Sequence, residues 1–355
     1  DITVDDLKVR QKAVKEFLSK PDVLIDYQAT AKLGRMTKDP KALMEFAKSG
    51  AKAKTISNVI GIVGCLIWIS VPVAYLLVPQ YAASTIPACF IINLIIWLAG
   101  KVFTNQYIKA SEGMPLQVKT MLKLYKILDE SGFEDDYVKS LLKGSEDADG
   151  AYLSLKKLDG ALKIASVRSQ PLFALLFNLI VPLDYYISFI LGNWAVKHGK
   201  YLPSYIDGLA EIESLMCIAQ TGLVFAESSV PEFIESDSPS DNAYFEGTDL
   251  AHPLLDVETV VRNSVTINKD IAIITGSNMS GKTTMIRTVG VCTVLAMAGG
   301  MVPATSVKLG RMRVMSSMRI VDSIEESMST FKAELIRISG IVKAQEDGKD
   351  KGECL

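Results

Sequence analysis

A chain of 355 residues has room for two or three domains. Hydrophobic residues make up 49% and charged ones 22%, and mean hydropathy is positive, which is apolar for a water-exposed globular protein and predicts that some segment sits in lipid. A formal net charge of −2 gives nucleic-acid binding no support beyond a local patch, while five scattered cysteines without a C-x-x-C pair and only two histidines argue against zinc or a disulfide framework and fit a reducing cytoplasm.

The chain opens without an initiating Met or a signal peptide, inside a charged helix-like run, and reads as a piece of a longer protein. From Asp5 to about Lys54, Leu7, Val14, Phe17 and Leu18 recur at helical spacing, and Pro21 and Pro40 divide the pattern into two or three helices. From Thr55 to Gly100 there is no charged residue. Two apolar blocks, Ile56 to Val78 and Ile86 to Val102, flank Pro79–Thr85, and each approaches the ~20 residues that cross a bilayer core. Lys48, Lys52 and Lys54 precede the first block, Lys101 and Lys109 follow the second, and the loop between is uncharged. The positive-inside rule then puts both outer ends in the cytoplasm. Trp68, Tyr75, Tyr81, Trp97 and Tyr107 include candidates for interfacial anchors. The alternative is a pair of wholly buried helices in a large core.

Met114 to Ser169 returns to amphipathic helix, with Leu122, Leu124, Tyr125 and Leu128 as an apolar stripe and an acidic break from Gly144 to Gly150. Pro171 to Leu191 is apolar but carries Pro182 and Asp184 in its middle. A charge there would cost about 2.5–3.5 kcal/mol in a span, and the stretch is expected to be a buried core helix or a shallow hairpin. Tyr205 to Gln220 is another amphipathic helix, and the polar stretch Glu235 to Asn242 marks a domain boundary. Beyond it, short β-branched runs at Val257–Val261 and Ile271–Ile274, strand-like Val307–Gly310 and Arg313–Met315, and helices at Lys282–Met297 and Ser327–Ala344 predict an α/β domain.

The most informative stretch is Gly276-Ser277-Asn278-Met279-Ser280-Gly281-Lys282-Thr283-Thr284, after an apolar run and before a helix. It fits G-x-x-x-x-G-K-[ST], a loop whose backbone N–H groups cradle a polyphosphate at a helix N-terminus. Gly276 and Gly281 permit the tight turn, Lys282 would neutralise the β- and γ-phosphates of ATP, and the Thr283 hydroxyl would ligate Mg²⁺.

The residues around that loop resemble the MutS mismatch-repair ATPase family. The likeness rests on the Asn278-Met279 pair within the loop, on Gly299-Gly-Met-Val302-Pro303-Ala304, on Ala251-His252-Pro253-Leu254-Leu255, and on Ser327-Met-Ser329-Thr330-Phe331-Lys-Ala-Glu334. It covers roughly residues 245–345, with a looser likeness of Val9–Val14 to the start of the family's lever and connector region. It implies ATP and Mg²⁺ as cofactors, a homodimer formed through the ATPase domain, and Ser329 acting in trans on the partner's nucleotide. Ser280 departs from the family's second loop glycine, a change a small side chain tolerates. His252 is expected either to stabilise a turn or to approach the nucleotide, and Val260 to be a strand core residue or to pack on adenine. The family's Walker B carboxylates would follow where this chain stops, so the chain is expected to bind nucleotide weakly and hydrolyse it poorly, ATPase activity belonging to the longer parent. The family's mismatch-reading Phe-x-Glu wedge has no counterpart, Phe233-Ile-Glu235 lying in the linker. DNA binding, mismatch sensing included, is therefore an expectation of the likeness alone.

The expected architecture is α plus α/β: a helical lever-like region (1–54 and 105–234) interrupted by a transmembrane hairpin (55–104), then a P-loop α/β domain (235–355) incomplete at its C-terminus. The functional reading is a membrane-anchored MutS-like ATPase with a cytoplasmic ATPase domain, contacting membrane lipid and a second copy of itself. The alternative is a membrane-tethered, ATP-driven switch or scaffold without a DNA role.

Overall fold

A capping box starts the first helix: Thr3 Oγ1 accepts from Asp6 N at 3.1 Å while Thr3 N donates to Asp6 Oδ2 at 2.9 Å. The computed structural model describes residues 2–34, 41–49, 54–144, 150–234, 244–268, 272–317 and 330–351. In chain order the helices are α1 (Val4–Leu18), α2 (Pro21–Leu33), α3 (Lys41–Ser49), α4 (Lys54–Leu66), α5 (Ser70–Leu77), α6 (Pro79–Gly113), α7 (Pro115–Glu130), α8 (Asp136–Lys143), α9 (Ala151–Ser166), α10 (Pro171–Ile180), α11 (Leu183–His198) and α12 (Leu202–Val224). Then come β1 (Glu232–Ile234), β2 (Tyr244–Leu250), β3 (Asn263–Asn268), α13 (Lys282–Met297), β4 (Ser306–Gly310) and α14 (Thr330–Lys351). The chain is mostly helical with one small mixed sheet. It divides into two compact units, one of residues 22–212 and one of residues 1–21 with 213–355.

The first of these units is all helix. Tyr125, Leu124 and Leu128 of the predicted stripe are buried, with the Tyr125 hydroxyl donating to Tyr205 O at 2.6 Å, and Leu122 lies half-buried. Burial pushes the Tyr125 phenol far above its ordinary value, so it stays a donor. Two stretches, Val59–Leu77 and Ala83–Lys101, are long and apolar enough to cross a membrane by length and composition, and only 6% and 17% of them are buried. The seven-residue loop expected at 79–85 is helix. Pro79 sits at the first helical position, where its missing N–H costs nothing, so α6 starts there and the chain reverses at Val78 (φ −142°, ψ 67°). The stretch 171–191 is not one helix but two, α10 and α11, broken at Val181–Pro182.

The second unit holds the sheet, in the order β1-β4-β2-β3. β4 runs parallel to β1 with Phe233 opposite Leu309, and antiparallel to β2 with Phe245 opposite Leu309; β2 and β3 are antiparallel, with Phe245 opposite Ile267. Phe245, Leu250, Val302, Ala304, Val307 and Leu309 form its core, and α13 packs on it through Cys292 and Ala296. Burial pushes the Cys292 thiol up to about 12 from 9.0. The neutral thiol's contribution to stability is therefore whole below pH 9.0 and is lost as pH rises toward about 12. Urea midpoints measured on either side of pH 9.0 should fall more for the native chain than for Cys292→Ala.

Among the described residues, three runs predicted as strands are not strands. In Val257–Val261 the Asp256 carboxylate accepts from Glu258 N at 3.0 Å and its carbonyl accepts from Thr259 N (3.2 Å) and Val260 N (2.9 Å), winding the run into a turn. Of Ile271–Ile274, Ile271 lies outside the described residues, and 272–274 have no regular structure and no ladder partner among the described residues. The same holds for Arg313–Met315. A β-branched run becomes a strand only where a neighbour takes its backbone hydrogen bonds. The Glu235–Asn242 linker also lies outside the described residues.

Candidate nucleotide-phosphate site

α13 begins at Lys282, as the motif requires, and its N-cap is Gly281 in the left-handed region (φ 86°, ψ 5°), with no side-chain hydrogen bond to the cap. The first-turn N–H groups of α13 are thus left to whatever anion approaches, with the positive end of the helix dipole behind them. Met279 also has positive φ (65°), uncommon outside glycine, and its side chain is fully exposed. Two left-handed residues two apart curl the loop, and Ser280 N bonds Ser277 O at 3.4 Å. The Ser280 hydroxyl occupies the space over Gly276, where a Cβ would come within 2.8 Å of it. The small residue thus fits where the family has glycine.

Lys282 spans the mouth of the loop, its ammonium donating to Gly276 O at 2.7 Å and also to Ser277 O. Gly276, Ser277, Asn278, Met279, Ser280, Gly281, Thr283 and Thr284 are exposed and Lys282 is half-exposed, so the structure brings every predicted loop residue into one solvent-facing arc. The exposed N–H arc, the uncapped helix start and the lysine fit a polyphosphate. Thr283, the exposed second residue of α13, is the hydroxyl that would hold Mg²⁺, and among the described residues no cluster of three or more His, Cys, Asp or Glu offers a further metal ligand set. Ser327 and Ser329 lie outside the described residues, as does the start of the Ser-x-Ser-Thr-Phe segment up to the α14 boundary at Thr330.

His252 is a turn residue: its Nδ1 accepts from Leu254 N at 3.2 Å and its carbonyl from Leu255 N at 3.0 Å. Val260 sits half-buried after the Asp256 turn and not in a strand core. Val302-Pro303-Ala304 threads between elements: Val302 exchanges both backbone hydrogen bonds with Ser229 at 2.9 Å, and Ala251 N donates to Pro303 O at 2.8 Å.

Sequence reasoning missed what holds the far end of the phosphate helix. Arg10 of α1 donates from Nε to Ala298 O at 2.9 Å, placing a cation on the C-terminal carbonyls of α13, and Gln11 donates to Pro231 O at 2.9 Å. Both lie in the Val9–Val14 segment, where the polar run Arg10-Gln11-Lys12 precedes the apolar Ala13-Val14. The junction also explains Gly299, whose φ is 81° and whose added Cβ would lie 2.6 Å from Arg10 Cβ. Gly299→Ala should therefore cost more than about 2 kcal/mol, the left-handed penalty plus a clash. Gly132→Ala, where φ is 58° and the space is open, should cost only the former. Paired urea titrations would read the difference.

Against known proteins, residues 272–348 match the model of MutS domain V. The chain is 32% identical over 140 residues to an "Endonuclease MutS2" of Geobacillus sp. (strain WCH70), a match covering 38% of this chain and 18% of that protein. It is 28% identical over 138 residues to the proteins of the same name from Bacillus cereus (strain AH820) and Bacillus anthracis (strain CDC 684 / NRRL 3495), covering 37% of this chain and 18% of each. The matched segment thus spans under a fifth of these relatives' length. The Asn278-Met279 loop, the Val302-Pro303-Ala304 thread and the domain V match fall on one stretch, so residues 272–348 are similar to MutS domain V.

Proposed function

We propose that this chain is the nucleotide-binding part of a membrane-anchored MutS-type ATPase, whose loop from Gly276 to Thr284 binds Mg-ATP and whose ATPase domain pairs with a second copy in the cytoplasm. The observation that carries the reading is the uncapped start of α13 behind an exposed glycine-bounded loop with Lys282 across it. Lys282 offsets phosphate charge, the α13 N-terminus orients it, Thr283 supplies a Mg²⁺ ligand, and Ser329 reaches the nucleotide of the partner. Bound Mg²⁺ would draw the β- and γ-phosphate oxygens together and neutralise charge developing on them.

Membrane anchoring is supported by the outward apolar faces of Val59–Leu77 and Ala83–Lys101 and by lysines at both outer ends of the pair. The test has two arms. Calorimetric titration with ATP, with and without Mg²⁺, should give Mg²⁺-dependent binding; no heat at millimolar ATP would overturn the nucleotide reading. Detergent-free lysis and flotation should leave the chain with membranes, and a fully soluble chain would overturn the anchor. A DNA role is the second reading, favoured by the name "Endonuclease MutS2" that the relatives carry. An ATP-sensitive gel shift on duplex DNA at physiological salt would support it, and its absence leaves the membrane-tethered switch.

A further inference from the structure

We infer that α10 and the first half of α11 form a re-entrant membrane element, a wedge that enters the bilayer from the face holding both outer ends of the hairpin, reaches its midplane, and leaves by the same face. This rests on the hairpin reading of α4–α6 and adds a lipid-contacting surface to it.

Composition comes first. From Pro171 to Leu183 there is no charge, and Leu172, Phe173, Leu176, Phe177 and Ile180 are exposed. A water-facing helix turns polar residues outward. Here the one polar residue of α10, Asn178, is turned inward and buried on the same face as Ala174. At 1.5 Å per residue the ten residues of α10 extend about 15 Å, half of a ~30 Å hydrocarbon core.

Depth follows from α6. Asn93 lies at the middle of the Ala83–Lys101 apolar stretch, and its Nδ2 donates to Leu179 O at 3.2 Å, so α10 ends level with the centre of the span. There the chain bends by 92° before the helical run that begins at Leu183. α11 then follows α6 toward its lysine-bearing end: the Tyr185 hydroxyl donates to Ile96 O at 3.0 Å, and Gly192 lies beside the Tyr107 ring. α9 lies along this half of the element, its end near the break and its start near Trp194. Arg168, just after α9, pairs with Asp184, and Trp194 Nε1 on α11 donates to Ser154 O at 2.8 Å.

The break also meets the condition for irregular backbone at membrane depth, that protein groups satisfy it. Val181 N donates to Phe177 O at 2.7 Å, Asp184 N to the Asn178 side chain at 3.0 Å, and Pro182 has no N–H to satisfy. The buried Asp184 carboxylate takes Trp97 Nε1 at 2.8 Å, Asn178 Nδ2 at 3.1 Å and the Arg168 ion contact at 2.8 Å. The apolar groove of about 290 Å³ between α4 and the break, lined by Ile62, Leu66, Val181, Tyr186 and Phe189, opens onto the same lipid-facing side.

The test uses the whole chain in membrane vesicles, with its five cysteines replaced by alanine and single cysteines introduced as Gln170→Cys, Phe177→Cys, Leu176→Cys, Lys200→Cys, Ile92→Cys and Lys109→Cys. A membrane-impermeant maleimide should label 170 and 200 from the side that labels 109. An environment-sensitive fluorophore at 177, or at 176 if the first variant does not fold, should lose more emission to a quencher at the acyl-chain ends than to one at the headgroups. Labelling of 170 and 200 from opposite sides would make the element a third span and overturn the wedge. Water-like emission at 176 and 177 with deep quenching at 92 would overturn the wedge and leave the hairpin standing. Water-like emission at 92 as well would bring both down together.

Discussion

Replacing Lys282 by alanine raises the dissociation constant for ATP about 10- to 100-fold, because a charge-assisted hydrogen bond to phosphate contributes roughly 1.5–3 kcal/mol. Calorimetry in Mg²⁺ buffer reads the change directly. The lysine also ties the loop, since its ammonium bonds Gly276 O and Ser277 O, so loss of charge and loss of loop order must be separated. Lys282→Arg keeps the charge and should retain part of the affinity. Gly281→Ala keeps the lysine but forces a side chain to φ 86°, and should weaken binding through loop geometry alone. Thr283→Ala should abolish the Mg²⁺ dependence of binding while sparing metal-free binding. Unchanged affinity in Lys282→Ala would remove the loop from the nucleotide site.

Asp184→Ala should destabilise the helical unit by about 3–5 kcal/mol, the cost of stripping the partner from a buried charge. Its carboxylate is 1% exposed, accepts from Asn178 and Trp97 and lies 2.8 Å from the Arg168 guanidinium, so the alanine takes the counter-ion from Arg168 and the acceptor from Trp97 Nε1. Thermal unfolding in detergent reads the loss, and Trp97 emission reports it locally. The double change Arg168→Leu with Asp184→Leu removes both charges and should recover much of the stability, since an apolar pair of similar volume costs no desolvation. A single variant as stable as the double would show that the cluster is solvated and not buried.

Lys282 and Asp184 mark two kinds of legibility. The phosphate loop, the start of α13 at Lys282, its end before Gly299 and the charge-free stretch of 55–100 were readable because each depends on residues adjacent in sequence. Glycine supplies left-handed backbone locally, a helix begins where its first N–H groups are free, and the absence of charge over two helical lengths is a property of composition. His252 as a turn residue belongs to the same class, its Nδ1 reaching Leu254 N two residues on.

Side-chain patterning failed wherever hydrogen-bonding partners decide the outcome. Val257–Val261 has strand-forming side chains, but Asp256 captures its N–H groups first. Residues 272–274 and 313–315 have the composition of strands, and composition cannot supply the neighbour that closes a ladder. Ser280 could be judged tolerable from size, yet only the loop's curl shows its hydroxyl lying over Gly276.

By itself, then, the sequence determined a glycine-bounded loop on a helix N-terminus, two apolar helices of membrane length, and a helical chain ending in a small α/β region, since these follow from short-range backbone preference and the period of apolar residues. Only the tertiary structure decided that Arg10, 288 positions away, closes the far end of the phosphate helix. It alone put Asn93 at the end of α10 and gave Asp184 its partners, so that a proline and a buried charge mark a satisfied break in the chain. The physical reason is common to both: a buried carbonyl or carboxylate must find a donor, and which residue supplies it is settled by packing and not by neighbourhood in sequence.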